Sequence, residues 1–227
     1  MNRFSSRRHK LAQSFLTQRL TGARAYDRIA GYFCGSILET AGEALESVQG
    51  TIRVVCNSGL QPQDVATARA AAAALRQEWC GFQPEALVDQ GGNQAKARLS
   101  RLHQFLASGK MQVKVLPDQH FGLIHGKAGV ITLQDGTKTA FLGSVNESKS
   151  AWTLNYELLW EDSSSEAVQW VQEEFDALWT HHAAVPLAEF VIEDIGRLSH
   201  RTIVPVLLQG ARRRAIFPPG RFQTSIS

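Results

Sequence analysis

Residues 123–147 read LIHGKAGVITLQDGTKTAFLGSVNE, and this stretch indicates the fold of the chain around it. Two apolar runs at 123–133 and 137–143 flank Gln-Asp-Gly at 134–136, a typical signal for a β-hairpin turn. The stretch therefore predicts two antiparallel strands. Residues i and i+2 of a strand face the same way, so polar residues placed at that spacing share one side of the hairpin.

Five polar side chains are predicted to gather at one end of this hairpin. His125 and Lys127 share a side of the first strand, with Gly126 leaving room between them. The second strand returns Ser144 and Asn146 close to that end. Glu157, on the strand predicted at 155–160, adds a carboxylate.

These residue types suit an anionic, tetrahedral, oxygen-rich group such as a phosphodiester. A histidine can attack phosphorus when one ring nitrogen is free and an acceptor holds the other, and Glu157 is the predicted acceptor. Lys127 offers a positive charge to the non-bridging oxygens, and Ser144 and Asn146 offer neutral donors. We therefore expect His125, Lys127, Asn146 and Glu157 to be catalytic, and Lys127, Ser144 and Asn146 to bind phosphate.

Strands alternate with helices along the rest of the chain, which predicts a mixed α/β (α+β) domain whose mixed sheet is flanked by helices. Strands are expected at 28–33, 51–56, 111–116 and 155–160. Helices are expected at 4–20, 36–47 (opened by a capping box of Ser36 and Glu39), 62–79, 95–108, 165–181 and 186–198. The predicted division is a basic N-terminal helix at 1–23, a catalytic domain at 24–183, and a C-terminal helix and basic tail at 184–227.

Charge is unevenly distributed along the 227 residues, although the net charge is only +3. Residues 1–28 carry +6, residues 29–196 carry −9 and residues 197–227 carry +6. Basic ends on an acidic body favour an anionic partner, of which nucleic acid is the commonest, although solvated faces and a tail explain the pattern equally well.

The composition excludes several protein classes. Hydrophobic residues make up 44% and charged residues 20% of the chain, which excludes a disordered or fibrous protein. No apolar run reaches the roughly 18 residues of a membrane span, and no secretory signal is evident. Three cysteines without a CxxC spacing favour a reducing compartment, so a cytoplasmic location is expected.

The motifs of the hairpin resemble those of the phospholipase D superfamily, whose signature is HxK followed by GSxN. His125-Gly-Lys127 and Gly143-Ser144-Val-Asn146 match it, Glu157 lies where small nucleases of the family carry a glutamate, and the resemblance covers residues 24–182. It implies a phospholipase-D-like fold. One position departs from the signature, because Thr132 stands where the family has an aspartate.

The resemblance also implies how the site is completed. Family members need two histidines, one as nucleophile and one as general acid, and this chain has a single HxK motif. The resemblance therefore implies a homodimer with one composite site, without metal ion or other cofactor. Phe121, Trp152 and Tyr156 are interface candidates, with ordinary core packing as an equally good interpretation.

A nuclease that forms a phosphohistidine intermediate is the predicted function, with DNA favoured over RNA. The basic residues Lys96, Arg98 and Arg101 are expected to bind nucleic acid. One alternative is a catalytically weak or inactive module that binds DNA or a helicase partner. A second is a phospholipid phosphodiesterase, although no membrane association is expected. Similarity to helicase-associated family members suggests a place in DNA repair or an anti-phage defence complex.

Overall fold

The computed structural model describes residues 1–57, 67, 69, 93–117 and 121–187. These residues form one mixed eight-stranded sheet in the order β1-β7-β6-β5-β2-β3-β4-β8, with helices packed on both faces. The predicted fold class is confirmed. Only β2–β3 and β3–β4 are parallel pairs, and every other neighbouring pair of this sheet is antiparallel.

The strands are β1 (Asn2–Ser5), β2 (Ala25–Ala30), β3 (Ile52–Cys56), β4 (Met111–Val115), β5 (Ala128–Thr132), β6 (Lys138–Gly143), β7 (Leu158–Asp162) and β8 (Val185–Pro186). A π-helical segment (Ala12–Thr17) continues as α1 (Gln18–Leu20), and the other helices are α2 (Ile37–Ser47), α3 (Asn93–Ala107), α4 (Lys149–Thr153) and α5 (Ser165–Trp179). Among the described residues, no helix is long and apolar enough to cross a membrane.

Each face of the sheet has its own core, because neighbouring residues of a strand point to opposite faces. Val54 belongs to the larger core, which the π-helical segment, α2 and α3 cover. Val55 belongs to a smaller core that is closed by Phe175 of α5. The central strands are therefore buried on both sides, which gives the site a rigid support.

The N-terminal segment is part of this sheet, contrary to the prediction of a separate basic helix at 1–23. β1 pairs with β7, so that Arg3 lies opposite Trp160, and helical structure begins at Ala12 instead of Phe4. Phe15 is fully buried in the larger core. The partner strand lies more than a hundred residues away, so local periodicity carried no signal of this pairing.

The local signals around α2 and the hairpin were right about the elements and wrong about one cap. The helix predicted at 36–47 is α2, but the Ser36 hydroxyl accepts from the backbone N–H of Lys149 (3.2 Å) instead of capping the helix. Glu39 binds the Lys149 ammonium at 2.9 Å. The 134–136 turn is confirmed, with Gly136 at a φ of +93° that favours glycine.

Several predictions fall on residues that the structure does not describe. They concern the helix at 62–79, most of the helix at 186–198, the basic tail and Cys80. Lys96 lies in α3, but its side chain is outside the described set.

Candidate active site

The predicted site residues lie at one end of the sheet, where β2 and β3 end and β5 begins. Ile29 near the end of β2 pairs with Ala128 at the start of β5. His125 and Lys127 directly precede β5, whereas the sequence predicted them inside a strand. The reason is Asn57, whose amide binds both backbone groups of Ile124, donating to the carbonyl at 2.6 Å and accepting from the N–H at 2.8 Å. These bonds replace the strand pairing at that residue.

His125 and Lys127 meet although they are not on a strand. The Lys127 ammonium nitrogen lies 3.2 Å from His125 Nδ1 and donates to the His125 carbonyl at 2.6 Å. Lys127 is buried and His125 is exposed. Burial lowers the pKa of Lys127, the positive charge of Arg28 lowers it further, and the charge of Glu157 opposes this shift.

The contact between the two side chains is compatible with a proton on Nε2 of His125. A lysine ammonium can only donate, so an Nδ1 that faces it presents its lone pair and leaves the proton on Nε2. An Nε2 that carries a proton cannot attack phosphorus. In that tautomer, the proton leaves Nε2 before His125 can act as a nucleophile.

Asn146 and Gly31 shape the space beside Lys127. The Asn146 side-chain oxygen accepts from the backbone N–H of Tyr32 at 3.0 Å, which leaves the amide NH₂ as a donor for a ligand. A Cβ at Gly31 would lie 3.1 Å from the Lys127 nitrogen and 3.3 Å from the Asn146 oxygen. A Cβ at Gly126 would meet nothing within 4 Å, so the close approach expected at Gly126 is found at Gly31.

Glu157 is bound by neighbours other than His125. The Ser144 hydroxyl donates to its carboxylate, and the Asn155 amide donates to its other oxygen at 3.3 Å. The sequence predicts a hydrogen bond between His125 and Glu157, but none is found among the residues that the structure describes. In this arrangement the Ser144 hydroxyl proton is directed to Glu157, so Ser144 positions the carboxylate.

A buried ion pair outside the predicted motifs connects the segment around Lys127 with the segment around Asn146. Arg28 is fully buried, and its Nε donates to Glu147 at 2.9 Å. The same guanidinium donates to the carbonyls of Ala128 (3.1 Å) and Val145, which flank Lys127 and Asn146 respectively. An arginine in a predicted buried strand was itself a signal, since a buried charge requires a partner.

Two basic residues of α3, Arg98 and Arg101, are engaged in the fold. The Arg98 guanidinium lies 4.0 Å from Glu39, and Arg101 binds Glu46 at 2.8 Å and the Leu38 carbonyl at 3.3 Å. These contacts hold α3 against α2. The freely exposed basic face that was expected here is therefore not formed by Arg98 and Arg101.

The three aromatic interface candidates have different environments. Trp152 is only 2% exposed and stacks on Phe15, so the core interpretation is correct for it. Phe121 and Tyr156 are 47% and 68% exposed. Among the described residues, no three His, Cys, Asp or Glu side chains are grouped to hold a metal ion.

Comparisons with known proteins identify one family. A family model described as cardiolipin synthase, PLD-like domain, matches residues 16–179. No curated protein gives a significant match.

Solved structures show distant likenesses. NucT from Helicobacter pylori is 15% identical with a TM-score of 0.48, over 82% of this chain and 97% of that one. The phospholipase D family member Nuc from Salmonella typhimurium is 14% identical with a TM-score of 0.43, over 77% of this chain and 89% of that one. Polyphosphate kinase from Porphyromonas gingivalis is 13% identical with a TM-score of 0.48, over 82% of this chain and 24% of that one.

Proposed function

Because the chain belongs to the phospholipase D superfamily, we propose that it is a phosphodiesterase that cleaves nucleic-acid backbones without a metal ion. One observation carries the proposal: His125, Lys127 and Asn146 converge at one end of the sheet, beside the bonded pair of Ser144 and Glu157. This set combines a nucleophile, a fixed positive charge and a neutral donor. A phosphodiester needs all three.

Binding of the phosphate group makes His125 available as the nucleophile. A non-bridging oxygen accepts from the Lys127 ammonium and the Asn146 amide, which withdraws Lys127 from His125 Nδ1. The exposed imidazole then loses its Nε2 proton to water, takes a proton from water on Nδ1, and turns so that a carboxylate accepts a hydrogen bond from Nδ1–H. Glu157 takes this role, since its charge already acts on Lys127.

The chemistry proceeds in two displacements. Nε2 of His125 attacks phosphorus, the N–P bond forms, and the bond from phosphorus to the leaving oxygen breaks. The leaving oxygen takes a proton from a second histidine that acts as general acid. Water then loses a proton to that second histidine and attacks phosphorus, which breaks the N–P bond and releases a phosphomonoester.

The second histidine comes from a second copy of this chain. An exposed apolar strip of Leu142, Leu158 and Trp160 supports this step. Leu142 lies directly opposite Trp160 in the β6–β7 pair, and Leu158 adjoins the hydroxyl of Ser144 through its backbone N–H (3.1 Å). An apolar strip beside a half-site is suited to burial against its own symmetry mate.

The chemistry is tested by cleavage of plasmid and single-stranded DNA in the presence of a chelator. We expect cleavage by the wild-type chain, none by His125→Ala, and wild-type rates for His182→Ala, which removes an exposed histidine outside the cluster. Acid-labile labelling of the wild type with radioactive phosphodiester identifies the intermediate. Cleavage that the chelator abolishes, or that persists in His125→Ala, contradicts the mechanism.

The dimer is tested by light scattering and activity together. Trp160→Arg should give an inactive monomer, whereas Trp170→Arg, at an exposed tryptophan of α5, should remain a dimer. A wild-type chain that is monomeric and active refutes the composite site.

Two further outcomes separate the alternatives. Binding of DNA without cleavage by any variant favours an inactive binding module, and hydrolysis of phospholipid vesicles favours a lipid substrate. A helicase partner and a defence setting remain predictions, because the segment beyond residue 187 lies outside the described part of the chain.

A further inference from the structure

A groove of about 530 Å³ lies beside the site, between the N-terminal segment and the loop from α4 to β7. Residues 6, 7 and 9–13 form one wall, and residues 152–156 form the other. None of the predicted site residues lines this groove.

The groove is positively charged and contains no acidic residue among those that line it. Arg7, His9 and Lys10 all lie on the N-terminal wall. Arg7 and Lys10 form no ion pair with the described residues. Two cations that line one groove and have no ion-pair partner among the described residues are suited to phosphates of a nucleic-acid strand.

The opposite wall carries an aromatic ring and an unpartnered donor. Tyr156 exposes 68% of its surface at the edge of the groove. Trp152 lines the groove as well, and its buried Nε1 has no hydrogen-bond partner within the described part of the chain. A buried donor without a partner is uncommon in folded proteins.

Both walls are bonded directly to Glu157. The Ser6 hydroxyl accepts from the Glu157 backbone N–H at 2.9 Å, and the Glu157 carbonyl accepts from the Ser6 N–H at 3.0 Å. Asn155, on the other wall, binds the Glu157 carboxylate. A strand that occupies the groove therefore passes next to the phosphate site.

We propose that this groove binds an unpaired stretch of single-stranded nucleic acid, with a base stacked on Tyr156 and phosphates on Arg7 and Lys10. The proposal rests on the proposed function only for the placement of the strand beside a cleavage site. Stacking on one exposed ring requires a base whose face is not covered by a paired neighbour, so single strands bind and duplexes bind much less.

Binding is measured by fluorescence anisotropy in the His125→Ala chain, which leaves the strand intact. The probes are a fluorescein-labelled oligothymidylate and a duplex of the same length. Tyr156→Ala should weaken single-strand binding by about 5- to 150-fold, the range of one lost stacked base, and Tyr156→Phe should retain it. Trp170→Ala, at an exposed tryptophan on α5, is the matched control without effect.

The salt dependence gives an independent readout of the cations. Lys10→Gln should reduce the slope of log K against log salt by about 0.7, the value for one phosphate of a single strand. Lys138→Gln makes the same charge change at the opposite end of β6 and should leave the slope unchanged. Equal affinity for duplex and single strand, or no effect of Tyr156→Ala, overturns the proposal.

Cleavage of bis-p-nitrophenyl phosphate, a small phosphodiester that cannot span the groove, separates this proposal from the proposed function. Tyr156→Ala should raise KM for the oligonucleotide much more than KM for the small substrate. Groove-dependent binding with no hydrolysis of either substrate supports the groove and refutes the catalytic proposal. Hydrolysis of the small substrate without single-strand affinity does the reverse.

Discussion

Replacing Glu147 by glutamine should destabilise the protein and disturb the site at the same time. Arg28 and Glu147 are 0% and 2% exposed, and their contact is 2.9 Å. Glu147→Gln keeps the shape of the side chain but leaves a buried guanidinium without its counter-charge. Breaking a buried pair on one side costs about 3–5 kcal/mol. In a domain of this size, that loss lowers the Tm by roughly 6–20 °C.

A double-mutant cycle distinguishes a buried pair from two independent contacts. Arg28→Met/Glu147→Met removes both charges, so its loss of stability should be smaller, by about 2–3 kcal/mol, than the summed losses of Arg28→Met and Glu147→Met. It should not return to wild type, because the carbonyls of Ala128 and Val145 lose their donor. Glu46→Gln is the control, since Glu46 and its partner Arg101 are both partly exposed and such pairs contribute at most about 1 kcal/mol.

Glu147→Gln should also change the pH profile of cleavage. Arg28 already lowers the pKa of Lys127, and Glu147 offsets the positive charge of Arg28. Glu147→Gln should therefore lower the pKa of Lys127 further, so the loss of activity on the alkaline side occurs at a lower pH. The measurements are urea unfolding and cleavage rate against pH. Additive single effects together with an unshifted profile would refute the reasoning.

Three other variants probe the site. Gly31→Ala should reduce cleavage strongly, because its Cβ crowds the Lys127 amine, whereas Gly126→Ala should be nearly neutral; equal rates for the two would contradict the packing argument. Lys127→Met should raise the free energy of unfolding most at a pH below the lowered native pKa of Lys127. This advantage should fade as the pH rises toward 10.5, the ordinary pKa of a lysine, because in that window the unfolded wild type binds the proton and the folded wild type does not. Urea unfolding at several pH values measures the difference. Thr132→Asp should leave cleavage within about twofold, because position 132 is five residues along β5 and roughly 16 Å from Lys127; a large gain in rate would show that the missing aspartate matters.

The sequence predicts those features of the fold and the site that depend on residues close together in the chain. The Gln-Asp-Gly turn specified the hairpin, and the motif spacing placed Lys127 and Asn146 together. The beginning of β5 was misplaced because Asn57, far away in the chain, binds Ile124 in place of a strand neighbour. The cap of α2 was misassigned because Ser36 binds Lys149, more than a hundred residues later.

The contacts of the basic residues in the N-terminal region reduce the basic surface that the charge pattern suggests. The N-terminal excess of +6 suggested one basic surface, but Arg28 lies in the core and Arg19 binds Glu161 at 2.6 Å. Only part of the excess remains for a ligand, and Arg7 and Lys10 belong to that part. A count of charges along a sequence therefore overstates the surface available to nucleic acid.

The N-terminal segment connects fold and function most directly. β1 is an edge strand whose pairing with β7 fixes the groove wall against the site, through the two backbone and hydroxyl bonds between Ser6 and Glu157. A nucleic-acid strand bound by Arg7 and Lys10 would thus contact the N-terminal segment, which is bonded to Glu157. Glu157 accepts from Ser144 and acts electrostatically on Lys127, so the N-terminal segment that is bonded to Glu157 supports both of these contacts. Removal of the N-terminal segment should therefore impair the chemistry as well as binding, even though none of its residues belongs to the HxK or GSxN motif.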